Sequence, residues 1–209
     1  MKILAISDIV LPQLESADNL RKRFSDIEMI LSCGDLPAPY IEFIGSTLNV
    51  PLLFVKGNHD INYEQDSPGG DNLHRRLIKF HGLTFAGLEG SPKYNSEPLQ
   101  YTESTMLWWV LNLAPRLWLY RQRHGVGIDV MVTHAPPRGI HDKPDRAHLG
   151  FRSFNVLLNL CRPRYLLHGH VDTWDNRRDT ETLVRDTQVI NINPMKVLTL
   201  EGRPNRNGL

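Results

Sequence analysis

Cysteine is scarce in this chain, and so is any excess of charge. Only Cys33 and Cys161 occur among 209 residues, each beside an apolar run. Two isolated thiols exclude a disulfide-stapled fold and a cysteine-ligated zinc module, and they read as buried and reduced. The formal net charge is +1, which excludes the broad basic face that duplex nucleic acid demands. No run approaches the ~20 apolar residues needed to span a bilayer. The opening MKILAIS reaches Asp8 at once, too short an apolar run for a signal peptide. Neither an internal repeat nor a low-complexity block occurs. A cytoplasmic protein without membrane association is expected.

The remainder is ordinary globular composition, 41% hydrophobic and 22% charged, in a length that suits one domain over residues 1–209. The polar end, 202–209, is expected to be disordered. Strands are expected at 2–7, 28–33, 51–56, 128–133 and 165–167. Helices are expected at 14–24, 40–47, 151–160 and 103–123, the last interrupted at Pro115. Residues 77–80 and 83–86 flank His81-Gly82 as a hairpin, and 182–192 with 196–200 carry two or three more strands. This alternation implies an α/β fold with antiparallel strands added in the second half.

Five of these strands end in residues that bind metal or move protons. The first ends at Asp8 and the second runs into Gly34-Asp35. The third runs into Gly57-Asn58-His59-Asp60. The strand at 128–133 ends at His134, and the one at 165–167 runs into His168-Gly169-His170-Val171-Asp172. In open α/β sheets, ligands bind beyond the carboxyl ends of the strands. Side by side, these strands would bring all five motifs to one edge. Taken singly, an Asp after a strand is usually a turn former or cap, and a lone His is usually a surface or hydrogen-bonded residue. Five in succession outweigh that.

In this order the motifs resemble the calcineurin-like metallophosphoesterases, whose pattern runs Asp-x-His, Gly-Asp, Gly-Asn-His-Asp/Glu, His, then Gly-His-x-His. The resemblance spans positions 8 to 172. It implies a four-layer α/β/β/α sandwich of two mixed sheets with a metal site at the strand ends. It implies that Asp35 bridges two metals, that Asn58, His134 and His170 complete one site, and that Asp8 belongs to the other. His59 would donate a proton to the leaving oxygen, and adjacency suggests that Asp60 orients it. The implied activity is hydrolysis of phosphomonoesters or phosphodiesters by metal-activated water. The partner would be a small phosphoester, with nucleotides among the candidates.

Two positions depart from the family pattern. Val10 stands where it has a histidine ligand, and Asp172 where it has the last histidine. Both belong to the same metal site, which is left with Asp8, Asp35 and Asp172. The site of Asp35, Asn58, His134 and His170 mixes oxygen and nitrogen donors and suits Mn²⁺, Fe²⁺ or Zn²⁺, whereas the all-carboxylate one suits Mn²⁺ or Mg²⁺; Mn²⁺ is expected first, at one or two ions per chain. The all-carboxylate site is harder and weaker. Its third aspartate also lowers the net positive charge of the centre, and with it the Lewis acidity. His141 or His148 is a candidate for the missing ligand.

Substrate preference is less legible. The insertion between Gly90 and Gly127 would form one wall of the site. Its Trp108, Trp109 and Trp118, with Leu107, Val110, Leu111 and Leu117, read as core or as a homo-oligomer interface rather than a base-stacking platform. Arg138 is placed to touch phosphate, whereas Arg116, Arg121, Arg123, Arg177 and Arg178 read as solvated. The stretch 67–71 lacks the lysine and spacing of a P-loop and reads as a flexible loop. The competing function is a catalytically impaired relative that binds nucleotide or protein; Val10 favours it and the retained His59 opposes it. A nuclease would need a basic groove, and a closed structural metal site favours Cys and His. The unequal ligand sets give one tight and one labile site. Metal analysis after dialysis should therefore return well under two ions per chain, and two firmly held ions would contradict the ligand argument.

Overall fold

A computed structural model describes residues 1–124, 128–173 and 179–202. Arg177, Arg178 and positions 203–209 lie outside the described residues, as does the side chain of Arg121. In chain order the elements are β1 (Lys2–Ile6), α1 (Ala17–Arg23), β2 (Met29–Ser32), α2 (Ala38–Leu48), β3 (Leu52–Phe54), β4 (Asp71–Asn72), β5 (Leu77–Phe80) and β6 (Leu83–Leu88). They continue with β7 (Ser91–Pro92), β8 (Gln100–Tyr101), α3 (Glu103–His124), β9 (Val130–Thr133), α4 (Arg152–Cys161), β10 (Tyr165–His168), β11 (Glu181–Val184), β12 (Thr187–Asn191) and β13 (Met195–Thr199).

The strands form two mixed sheets, ordered β13-β1-β2-β3-β4 and β11-β12-β10-β9-β6-β5, beside a small β7-β8 pair. Strands β1, β2 and β3 run parallel, as do β6, β9, β10 and β12. The antiparallel pairings are β1-β13, β5-β6 and β11-β12.

The pleat explains the layers. Successive side chains of a strand point to opposite faces. Ile3 and Ala5 join Phe85, Val130, Val132 and Leu167 in a cluster between the two sheets. Leu4 and Ile6 turn outward to Leu20, Ile41 and Ile44, beside α1 and α2. Met131 and Leu166 turn outward to Val110, Leu113, Phe154 and Leu157 of α3 and α4. Central strands buried on both faces read as continuous apolar runs, as KILAI and VMVT do. The result is helices, sheet, sheet, helices, as the resemblance implied.

Three expectations need correction. The helix expected at 14–24 begins only at Ala17, because Ser16 caps it: its hydroxyl accepts the Asn19 amide at 3.4 Å. Leu14 lies in a separate 3₁₀ turn, Pro12–Leu14. Helix α3 runs through Pro115 without interruption. The carbonyl that Pro115 cannot serve is that of Leu111, a residue 50% exposed, where water can bond it. Buried Val110, Leu113 and Leu117 anchor the helix on both sides of that point. The stretch 67–71, expected as a loop, ends in β4 on the edge of β3.

The tryptophans also divide. Trp108 and Trp118 are exposed on α3, so neither belongs to the core. Trp109 is half-buried, edge-on to Tyr101 and His74. Among the described residues no helix is long and apolar enough to cross a membrane.

Candidate metal centre

Strands β1, β2 and β3 deliver Asp8, Asp35 and Asn58 from one sheet, and β9 and β10 deliver His134 and His170 from the other. Two hydrogen bonds tie the sheets together at this edge. The His134 Nδ1–H donates to the Cys33 carbonyl at 2.8 Å, and the His170 amide donates to the Asp8 carboxylate at 2.9 Å.

The approach is too close for side chains at the turns. A Cβ on Gly169 would lie 1.8 Å from Ser7 Oγ and 2.5 Å from Asp8 Oδ2. Gly34, at φ +99°, would put one 2.4 Å from the Gly57 nitrogen. Asp8, Asp35 and His170 are themselves left-handed, at φ 66°, 57° and 67°. Asp and His tolerate that region better than most residues, at a cost of about 1 kcal/mol or more each.

The donors then meet. One ligand atom each of Asp35, His134 and His170 lies within 4.8 Å of the others. His134 Nε2 stands 3.1 Å from Asn58 Oδ1 and 3.3 Å from Asp35 Oδ2. With Nδ1–H committed to Cys33, a neutral His134 presents a lone pair at Nε2, so three acceptors face one another with no donor between them. Either a proton sits on Nε2 or a cation sits among the three. Ligand atoms about 2.1 Å from a shared ion and near a right angle apart are separated by about 3 Å, so the set fits a divalent cation.

The second partners of these groups fix their orientation. Asn58 Nδ2 donates to Tyr94 Oη at 3.2 Å, which turns Oδ1 toward His134. His170 Nε2–H donates to the Ala147 carbonyl at 2.7 Å, leaving Nδ1 with its lone pair. Asp35 Oδ1 accepts the His59 amide at 2.8 Å, leaving Oδ2 toward the ligand set.

Electrostatics follow from burial and pairing. Burial opposes a charge on His134, but the Asp35 carboxylate outweighs it and raises the pKa. Burial likewise opposes ionisation of Asp35, and His134 reverses that and holds its pKa low. His170 is pushed down, first by burial and then by the charge of His134. Asp8 is raised by burial. Pairing thus favours charge on Asp35 and His134 together, whereas burial disfavours charge on His170.

The other expected residues fall as follows. His59 is exposed, with Nε2 4.0 Å from Asp35 Oδ2. Asp60 Oδ2 accepts the Gly57 and Asp35 amides at 2.7 and 2.8 Å, so its bonds hold two site turns together rather than aim the His59 ring. Burial lifts its pKa to about 6. Asp172 is exposed and receives a bond from Asn193 Nδ2 at 3.4 Å. Asp8 and Asp172 both lie outside the three-residue set, and Val10 is exposed. His141 bonds His168 and Thr182, both at 2.9 Å. His148 bonds Asp145 and stacks obliquely on His170, ring centres 5.4 Å apart. Arg138 pairs with Asp142 at 3.7 Å.

Sequence reasoning missed Tyr94. Nothing in a lone loop tyrosine marks it; its placement depends on buried Gln100, whose Oε1 accepts the Tyr94 and Asn95 amides at 3.1 Å.

The family description "Calcineurin-like phosphoesterase" matches residues 1–173. Among solved structures, TT1561 of Thermus thermophilus is similar with a TM-score of 0.62 and 17% identity, over 91% of this chain and 88% of its own. Another crystal structure has a TM-score of 0.61 and 17% identity, over 96% of this chain and 99% of its own. At that identity the likeness shows the fold. No curated protein matches significantly.

Two outcomes follow for cation binding, both read by calorimetric titration with Mn²⁺. A cation must displace the proton from His134, so affinity should rise with pH below the raised pKa, by up to about tenfold per pH unit. Tyr94→Phe frees the Asn58 amide to rotate, and should weaken binding by about 10–100-fold while the cation-free melting temperature holds.

Proposed function

This chain belongs to the calcineurin-like phosphoesterase family, and from that premise we propose that it hydrolyses phosphomonoesters or phosphodiesters, with water as nucleophile and His59 as proton donor. The reading rests on one observation: Asp35, His134 and His170 present ligand atoms within 4.8 Å of one another, with Asn58 Oδ1 aimed at the same place. In this reading those four residues hold a divalent cation, Mn²⁺ first and Fe²⁺, Zn²⁺ or Mg²⁺ as alternatives. A cation so held offsets phosphoryl charge and makes the attacking water more acidic.

The chain's own groups do the rest. As a P–O bond to water forms and the ester P–O bond breaks, the departing oxygen needs a proton. His59 stands at the solvent side of Asp35, its ring 66% exposed, where an ester can reach it. Its backbone bond to Asp35 fixes the distance between donor and ligand set. Asp60 maintains that spacing through the Gly57 and Asp35 amides. The free, buried thiols Cys33 and Cys161 support a cytoplasmic setting.

A second reading has a specific observation behind it. With Val10 exposed and Asp172 turned to Asn193, Asp8 and Asp35 are the carboxylates left for a second cation. A protein that holds one ion and binds a nucleotide or a protein without turnover would look the same at this position.

A panel of aryl and alkyl phosphate esters assayed against several divalent metals separates the two. Turnover with Mn²⁺ is expected, and its absence with every metal would favour the binding module. His59→Ala should lower kcat by about 10²–10⁴-fold at unchanged metal content. Loss of metal together with activity would make His59 structural instead.

A further inference from the structure

Beside the ligand set lies a cleft of about 410 Å³, lined by Asp35 and His59 together with Asp66. One wall is the turn through Pro37 and Pro39 that leads into α2, and the other is the 3₁₀ turn Ile61–Glu64. Tyr63 joins the walls. Its hydroxyl donates to the Leu36 carbonyl, and its ring stands edge-on to Phe54, centres 5.6 Å apart. Two prolines and a pinned tyrosine make a cleft that exists before any ligand arrives, within the size range of small-molecule sites.

Its charge is one-sided. Among the described residues no lysine or arginine lines it, while Asp60 and Asp66 do. The one feature that would favour an anion is the N-terminus of α2, since a helix start presents free amides and a partial positive charge. Here that start is disarmed. Pro37 and Pro39 have no amide hydrogen, and the Tyr40 and Ile41 amides both bond the Pro37 carbonyl, at 3.0 and 3.3 Å. Among the described residues Ala38 is the one first-turn amide without a bonded acceptor. Asn62, exposed on the facing wall, can both donate to and accept from a hydroxyl.

Resting on the phosphoesterase reading, we propose that this cleft seats the leaving alcohol of the substrate, and that this alcohol is neutral or cationic, bearing hydroxyl or ammonium groups rather than a carboxylate or a second phosphate. Asp35 belongs to both the ligand set and the cleft, and His59 lines the cleft, so an alcohol lying there has its ester oxygen within reach of the proton donor. An anionic leaving group would face Asp66 and Asp60 with no lysine or arginine among the described lining residues to offset them, and the proton of His59 is committed to the ester oxygen. Polyphosphates and nucleic acid strands are disfavoured on the same ground.

The test compares kcat/KM for the phosphate monoesters and methyl phosphodiesters of ethanolamine, glycerol and glycolate, using the full chain with Mn²⁺ and detecting the released alcohol. The ethanolamine and glycerol esters should exceed the glycolate ester by about tenfold or more. Asp66→Lys should narrow or invert that ratio, and Asp66→Asn should move it the same way by less. The ratio is the readout, so a general loss of activity does not imitate the effect. Glycolate esters cut as well as ethanolamine esters, or a ratio unmoved by both variants, would overturn the proposal and leave the hydrolase reading standing. Failure to cut any ester with any metal would remove the hydrolase reading and this proposal with it.

Discussion

Buried lone pairs that face one another are the constraint on which the rest of this molecule turns. Asn58 Oδ1 and Asp35 Oδ2 lie 3.1 and 3.3 Å from His134 Nε2 in a place where His134 is wholly buried. Unpaired acceptors in such surroundings repel one another and lack water to compensate. The arrangement is tolerable only with a positive charge at its centre, whether a proton or a cation. Everything nearby maintains that convergence: Tyr94 on the Asn58 amide, Cys33 on His134, Ala147 on His170, and the His59 amide on Asp35.

The two-sheet sandwich is what makes the convergence attainable. Parallel strands bring their carboxyl ends to the same edge, and two stacked sheets bring two such edges together. The backbone bends hard to achieve it, with three non-glycine residues of the site in left-handed conformation and a glycine wherever two turns touch. A fold that accepts this strain must recover it in packing, and the three apolar clusters above, below and between the sheets are the source.

The centre is lopsided. One side has nitrogen and oxygen donors locked by second partners, while the other retains Asp8, bound to the His170 amide, and has lost Asp172 to the surface. Asp172, which stands where the family has its last histidine, lies outside the set of three ligand residues. Asn193, itself buried, donates to it at 3.4 Å.

By itself the sequence determined the order of the apolar strands that carry the motifs, the hairpin at His81-Gly82 and the placing of Asp35, His134 and His170 beyond strand ends. These are local properties: side-chain period, glycine at a turn, a carboxylate after a strand. Tertiary structure alone decided what depends on distant neighbours. Helix α3 passes through Pro115 because an exposed face lets water take the orphaned carbonyl. Asp60 holds backbone amides rather than the His59 ring because its turn folds back onto Asp35. Tyr94 matters only through a residue 36 positions away, and Asp172 takes its hydrogen bond from Asn193, 21 positions away. Spacing along a chain records which side chains are available; which atoms face one another is settled when the sheets close.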